Sequence, residues 1–347
     1  MVEKVAIFMK SETLSKPYKN RDYFFDNLRL LLIFCVVFCH CLEKVRDSSG
    51  SIALMHEVLL CFVMPMFVFV TGYFAKGLAD SNSPKRLKIL NILVLLIICQ
   101  IIKMDIYDFG TILKPHYGNW FLLAIAVWYY ILPTVNKIKP FLAILIAMIV
   151  AVFISGDPEV YELLQLLRIF GFFPFFILGF YCNGDIIERL KANRMRVIEG
   201  CVLIVGILLY VFIFQHYVPV ELLHCKVSYG AMGLSFIKGG ILRLWWYGFA
   251  LFMGFGVLAV VPRKKYFFTV YGTRTLPIYI IHTILWCFIA VYTDFFDQVA
   301  NYDNTAIIFF VFSILVTIVC GNKWFNNWFN QFMNIKFEFL FKEKHIN

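Results

Sequence analysis

Charged side chains are scarce: Asp, Glu, Lys and Arg make up only 16% of the 347 residues, and acids are the rarer sign, 22 against 32. A chain this poor in charge cannot clothe a water-soluble surface of that length. Nor is there any polar block between Phe24 and Val319 long enough to fold by itself, which excludes a second, soluble domain. The ten cysteines sit mostly one at a time inside apolar runs, and the nearest pair, Cys39 and Cys41, has neither zinc-finger nor redox spacing, so no metal and no disulfide framework are expected. A Gly-rich phosphate loop, a G-x-S-x-G elbow and an internal repeat are also missing.

What fills the chain is hydrocarbon. Hydrophobic residues make up 61% and mean hydropathy is +0.78, the signature of an all-α polytopic membrane protein. A bilayer core of about 30 Å takes roughly 20 apolar residues per helix. Runs of that kind lie near Phe24–Cys41, Ala53–Phe74, Leu87–Ile102, Asn119–Leu132, Phe141–Ile154, Leu163–Tyr181, Val197–Phe214, Ile241–Val261, Leu276–Val291 and Ala306–Val319. They predict about ten transmembrane helices in one bundle, rich in Leu, Ile, Val and Phe rather than alternating as barrel strands do. The fourth and fifth runs are short and would also suit a re-entrant hairpin, which leaves the parity unchanged.

Positively charged loops resist translocation, so Lys and Arg mark the cytoplasmic side. The amino-terminal arm, alternate loops and the tail hold 23 of the 32 when Lys88 is counted with its loop. Both termini are therefore expected to be cytoplasmic, and the chain divides into an arm (1–23), a membrane domain (24–320) and a tail (321–347). The net charge of +10 follows from this topology and from contact with anionic membrane lipid, so no nucleic-acid partner is expected. The first apolar run follows more than twenty mostly polar residues, carries charges and lacks a cleavage site, and is expected to stay attached.

That first run, "RDYFFDNLRLLLIFCVVFCH" at 21–40, holds three ionisable groups. Arg29 and His40 are eleven residues apart, three helical turns plus about 20°, which puts them on one face roughly 16 Å apart along the axis. Asp26, three before Arg29, shares the stripe. Alone, Arg29 would be free to snorkel and His40 to serve as a packing residue. Together they predict a stripe that faces the bundle interior or a wet cavity, since each charge would cost roughly 2.5–3.5 kcal/mol against lipid. An antiparallel second span brings Glu57 to the depth of His40, with His56 as the competing neighbour. A carboxylate on one ring nitrogen would fix the tautomer and leave the other to act as general base.

At these residues the sequence resembles the integral-membrane acyltransferase-3 family of bacterial O-acyltransferases that modify cell-surface sugars. "FFDNLRLLLIFCVVFCH" carries its aspartate, arginine, ten-residue gap and histidine as Asp26, Arg29 and His40. "MPMFVFVTGYF" at 64–74 is similar to the second helix, with Thr71 where serine is usual. "NWFLLAIAVWYYILP" at 119–133, "RIFGFFPFFILGFY" at 168–181 and "GTRTLPIYIIH" at 272–282 continue the likeness over nearly the whole chain. Within the family the chain is nearest to the fucose 4-O-acetylase-like branch.

The resemblance implies a multi-pass protein of the bacterial inner membrane with an acyl-CoA donor, most often acetyl-CoA, and a cell-surface or lipid-linked sugar as acceptor. Arg29, Lys85, Arg86 and Lys88 are expected at the CoA phosphates, with the thioester arm running along the stripe to His40, the expected base. Tyr279 and His282, three apart on one face, would orient the donor or join helices. Asn119, Trp120 and Arg168 begin spans on the outer side and suit sugar recognition, with interface anchoring the competing role for Trp120, Trp245 and Trp246. The long loop at 215–240 is expected to fold over the acceptor. The alternative is a carrier of a polar or anionic solute, which would also place Arg, His and Glu inside a bundle. Carriers often repeat their polar helices in two halves, and no second copy of the first hairpin is found.

Overall fold

The computed structural model describes residues 22–79, 85–103, 118–156 and 165–335. Most of the arm, the end of the tail and the side chains of Lys85 and Arg86 lie outside the described residues. Among the described residues all regular structure is helical. Helix α1 (Tyr23–Lys44) begins at Asp22, whose carboxylate accepts from the Phe24 N–H. Next come α2 (Gly50–Leu60) and α3 (Val63–Phe74), broken at Cys61 and Phe62 because Pro65, in the first turn of α3, has no N–H with which to continue the ladder. The chain continues through α4 (Lys85–Lys103), α5 (Asn119–Val135), α6 (Pro140–Ile154), α7 (Leu166–Tyr181) and the short α8 (Gly184–Leu190). After α9 (Arg196–Leu209) a π turn, Tyr210–Phe214, leads to α10 (Val220–His224) and α11 (Phe236–Val257). Last are α12 (Thr275–Tyr292), α13 (Phe295–Ala300), α14 (Thr305–Cys320) and α15 (Lys323–Met333).

Each of the ten apolar stretches is helical where described, yet length separates them. Five helices are long and apolar enough to cross a bilayer, or up to seven if α7 with α8 (bent by 96°) and α14 with α15 (bent by 56°) each count as one span. The apolar parts of α4, α5 and α6 are shorter, at 17 residues or fewer. At 1.5 Å per residue such helices reach about 25 Å or less, under the full hydrocarbon thickness.

Helix α1 lies at the centre, packed by α2, α3, α12, α14 and the turn at 267–273. Leu32, Ile33 and Leu42 on it are fully buried. The periphery is inverted relative to a soluble protein: Phe141 and Phe153 on α6, Phe212 beyond α9 and Ile307 on α14 are all more than 60% exposed, a belt suited to lipid. On α6 the inward face is a stripe of Ala143, Ala147 and Ala151, four apart, that lets α7 come close.

The tightest crossing is between α3 and α7. A Cβ on Gly179 would stand 1.9 Å from the Phe69 carbonyl oxygen, and one on Gly72 would stand 2.0 Å from that of Phe176. Backbone cannot step aside as a side-chain tip can. Gly179→Ala is therefore expected to destabilise the fold by about 1–3 kcal/mol, seen as a lower midpoint of thermal unfolding in detergent, whereas Gly77→Ala, with nothing within 4 Å, should leave it near normal. Pro174 inside α7 leaves part of that helix short of a backbone donor, and nearby carbonyls take side-chain donors from two neighbours: Trp128 Nε1 donates to Ile169 O at 3.1 Å and Tyr247 OH to Gly171 O at 2.8 Å. These bonds fix the amino-terminal half of α7, which carries Arg168 and Phe172.

At the Arg29 end, Asn27 clamps the 262–269 segment to α1: its amide donates to Pro262 O (2.8 Å) and Lys264 O (2.9 Å) and accepts from Thr269 Oγ1 (2.7 Å). Arg263 there donates to the buried Glu199 carboxylate at 2.7 Å. Burial draws the Lys191 ammonium down, but its bonds to Asp22 (2.7 Å) and Glu188 (2.6 Å) outweigh that and raise it.

Candidate active site

Because α1 runs unbroken to Lys44, His40 and Glu43 fall on one face of its last two turns. They meet at 3.4 Å, His40 Nδ1 to Glu43 Oε2. Glu43 Oε1 accepts from Lys226 Nζ at 2.8 Å, a bond that ties the loop after α10 to α1. The His40 carbonyl accepts from Trp286 Nε1 at 3.1 Å. Both groups open on a cavity of about 610 Å³. Its walls come from Val36, Cys39 and Lys44 on α1, Leu60, Val63 and Met64 around the α2–α3 break, Gly118 and Trp120 at the start of α5, Gln165, Arg168 and Phe172 at the start of α7, and Tyr279, Thr283 and Trp286 on α12.

The roof is the segment Leu223, His224 and Lys226, from the long loop expected to cover the acceptor. Arg243, fully buried on α11, holds that segment by donating to Leu222 O at 2.7 Å and Cys225 Sγ at 2.9 Å. Burial, with Lys226 and Arg168 beside it, pushes His224 well below the ordinary imidazole range, so His224 adds no charge to the roof near neutral pH.

Trp120 stacks on Phe172 at 5.4 Å, and the Arg168 guanidinium lies over the Trp120 ring at 5.2 Å. Gly118, which precedes α5, has φ +87°, and a Cβ there would meet Tyr279 and Thr283 side-chain atoms at 3.1 Å. Only glycine suits that position. Its carbonyl accepts from the Tyr279 hydroxyl. His282 stands behind the cavity, its ring 5.6 Å from that of His40, and its Nδ1 donates to Ile278 O at 2.7 Å, which leaves the lone pair on Nε2.

The structure thus gathers His40, Trp120, Arg168 and Tyr279 at one chamber, with His282 in the layer behind. It does not pair His40 with Glu57. The Glu57 carboxylate is occupied by Arg46 (2.8 Å) and by the Tyr210 hydroxyl (2.8 Å), which the π turn aims at it, while Glu43 is one turn from His40 on the same helix. His56 is also elsewhere, buried with its ring 5.5 Å from His224 and neither nitrogen bonded among the described residues. Asn119 faces away from the chamber, its amide donating to Gln100 at 2.8 Å and joining α5 to α4.

Asp26 and Arg29 pair with each other at 2.5 Å, and the Arg29 guanidinium lies 5.0 Å over Phe74. Lys88 is exposed, its ammonium 5.5 Å from the Tyr129 ring. The polar stripe expected between Arg29 and His40 is interrupted: Leu32 and Ile33 fill it, and the chamber's lining on α1 begins only at Val36, about 10 Å of helix beyond Arg29. Among the described residues no group of three His, Cys, Asp or Glu is placed to hold a metal ion.

Glu43 was legible as the third residue after His40, though the sequence drew attention to Glu57 instead. Lys226 and His224 had no such signal, because a loop's path depends on its anchor, Arg243. Neither a curated protein nor a solved structure matches the chain. Residues 22–321 match the acyltransferase domain of a protein-family model. That match covers every residue around the His40 chamber and most of the chain, so this membrane protein belongs to the acyltransferase-3 family.

Proposed function

We propose that the protein is a membrane O-acetyltransferase of the fucose 4-O-acetylase-like branch, moving an acetyl group from acetyl-CoA to a hydroxyl of a cell-surface or lipid-linked sugar. The observation that carries this reading is His40, held by Glu43, which Lys226 holds in turn, in a chamber large enough for the reacting parts of two substrates. A carboxylate at Nδ1 leaves Nε2 as the proton acceptor. In the proposed step the sugar hydroxyl gives its proton to His40 as its oxygen attacks the thioester carbonyl carbon. The tetrahedral intermediate then collapses, the C–S bond breaks, and the departing CoA thiolate takes the proton from the imidazolium. Trp120 backs the Arg168 guanidinium on the acceptor side, and Tyr279 and His282 form the wall behind the base.

In this reading Arg29, Lys85, Arg86 and Lys88 hold the donor's phosphates, Arg29 being suited to bidentate contact. The packed Leu32 and Ile33 must then part for the thioester to reach His40. All ten apolar helices enter the bilayer, α4, α5 and α6 as short crossings, with both termini cytoplasmic in a bacterial inner membrane; the Lys and Arg distribution supports this. Purified protein given acetyl-CoA and a crude surface-glycan fraction should release free CoA thiol and acetylate the glycan. Solute uptake into liposomes without thiol release would instead return the protein to the carriers.

A further inference from the structure

Charge in the chamber does not balance. Among the described residues its one carboxylate, Glu43, faces the cations Arg168, Lys226 and Lys44. Glu43 is already engaged by Lys226 and His40. The Arg168 side chain has no ion pair and no hydrogen bond among the described residues, and its Nε is buried without a partner. Glu43 is the acid among the described residues whose field reaches it, but its hydrogen bonds go to Lys226 and His40 instead. A guanidinium cannot escape this situation by losing its proton, because it remains charged under all ordinary conditions. It also cannot easily turn away, since it lies on the Trp120 ring, which is itself stacked on Phe172. Arg168 further occupies the first turn of the 16-residue α7, where the helix dipole adds positive potential.

We propose that Arg168 on Trp120 is an anion subsite, and that the acceptor is a sugar bearing an acidic group, a carboxylate or a phosphate, near the hydroxyl that is acylated. This rests on the acyltransferase reading and narrows its acceptor. The planar guanidinium, backed by Trp120, donates to two oxygens of the acid, and Glu43 and His40 are left to the hydroxyl. A neutral sugar would leave the guanidinium as unpaired as it stands now.

The test uses the full chain in detergent with three probes: glucose, glucuronic acid and glucose 1-phosphate. At least one acidic probe should raise the thermal midpoint more than glucose does and should be the better acceptor by kcat/KM. Arg168→Gln should lower the acidic-to-neutral ratio by about tenfold to a hundredfold and abolish the extra midpoint shift, whereas Arg168→Lys, which keeps the charge but not the two-pronged contact, should recover only part of both. A response to glucuronic acid alone identifies a carboxylate, and one to glucose 1-phosphate alone a phosphate. The proposal is overturned if neither acid surpasses glucose in binding or transfer. It is also overturned if Arg168→Gln depresses all acceptors and thioester hydrolysis equally, the behaviour of a partner for the reaction's oxyanion or for CoA. Failure of the acyltransferase reading looks different: no thioester is consumed with any probe or in water, and His40→Ala matches the unaltered protein.

Discussion

Replacing His40 by alanine is expected to lower acyl transfer by roughly 10²- to 10⁴-fold, the range for a well-placed acid–base group. The effect should fall on kcat with little change in KM, because no binding contact to donor or sugar is assigned to the imidazole. The fold should tolerate the change. The imidazole is partly exposed to the chamber, and its backbone carbonyl, which accepts from Trp286, is retained. Transfer rates and thermal midpoints measured together settle the matter: a variant that acetylates near the normal rate removes His40 as base, and one that no longer folds shows a packing role instead.

Glu43→Gln should be the next largest loss, about 10²-fold in kcat, the scale expected when a reacting group is displaced by about 1 Å. A glutamine of the same shape can offer its NH₂ group to Nδ1 and so favour the wrong tautomer. It also loses the charged bond to Lys226, which loosens the roof. Lys226→Met separates these effects, since it frees the loop while keeping the carboxylate; it should raise KM for the acceptor more than it lowers kcat. Glu57→Gln is the matching control. It disturbs Arg46 and Tyr210 and should act on stability rather than on the chemical step.

Much of the fold could be read from the chain because lipid demands long apolar helices, and those are local patterns. The break at Cys61 and Phe62 follows from Pro65, but the apolar run continues through it and hides it from a reading of hydropathy. For the site, the single face shared by His40 and Arg29 followed from helix geometry, while the filling of the gap between them did not. Leu32 and Ile33 look the same in sequence whether they line a route or plug it; only the packing of neighbouring helices decides. The same limit explains Glu57. Sequence depth placed it level with His40, but its rotation about α2 and the register of the π turn gave it to Arg46 and Tyr210. Trp120 and Arg168, some fifty positions apart in the chain, meet because both begin helices at the same end of the bundle.

The blockade formed by Leu32 and Ile33 bears on more than the path of a donor. A water-filled bore running the length of α1, lined by Arg29, His40 and Glu43, would conduct protons and small ions and drain the electrochemical gradient that a cell works to maintain. With a greasy stopper midway, the proton transfer proposed at His40 would run in a chamber cut off from the Arg29 end, and the membrane would stay electrically sealed between turnovers.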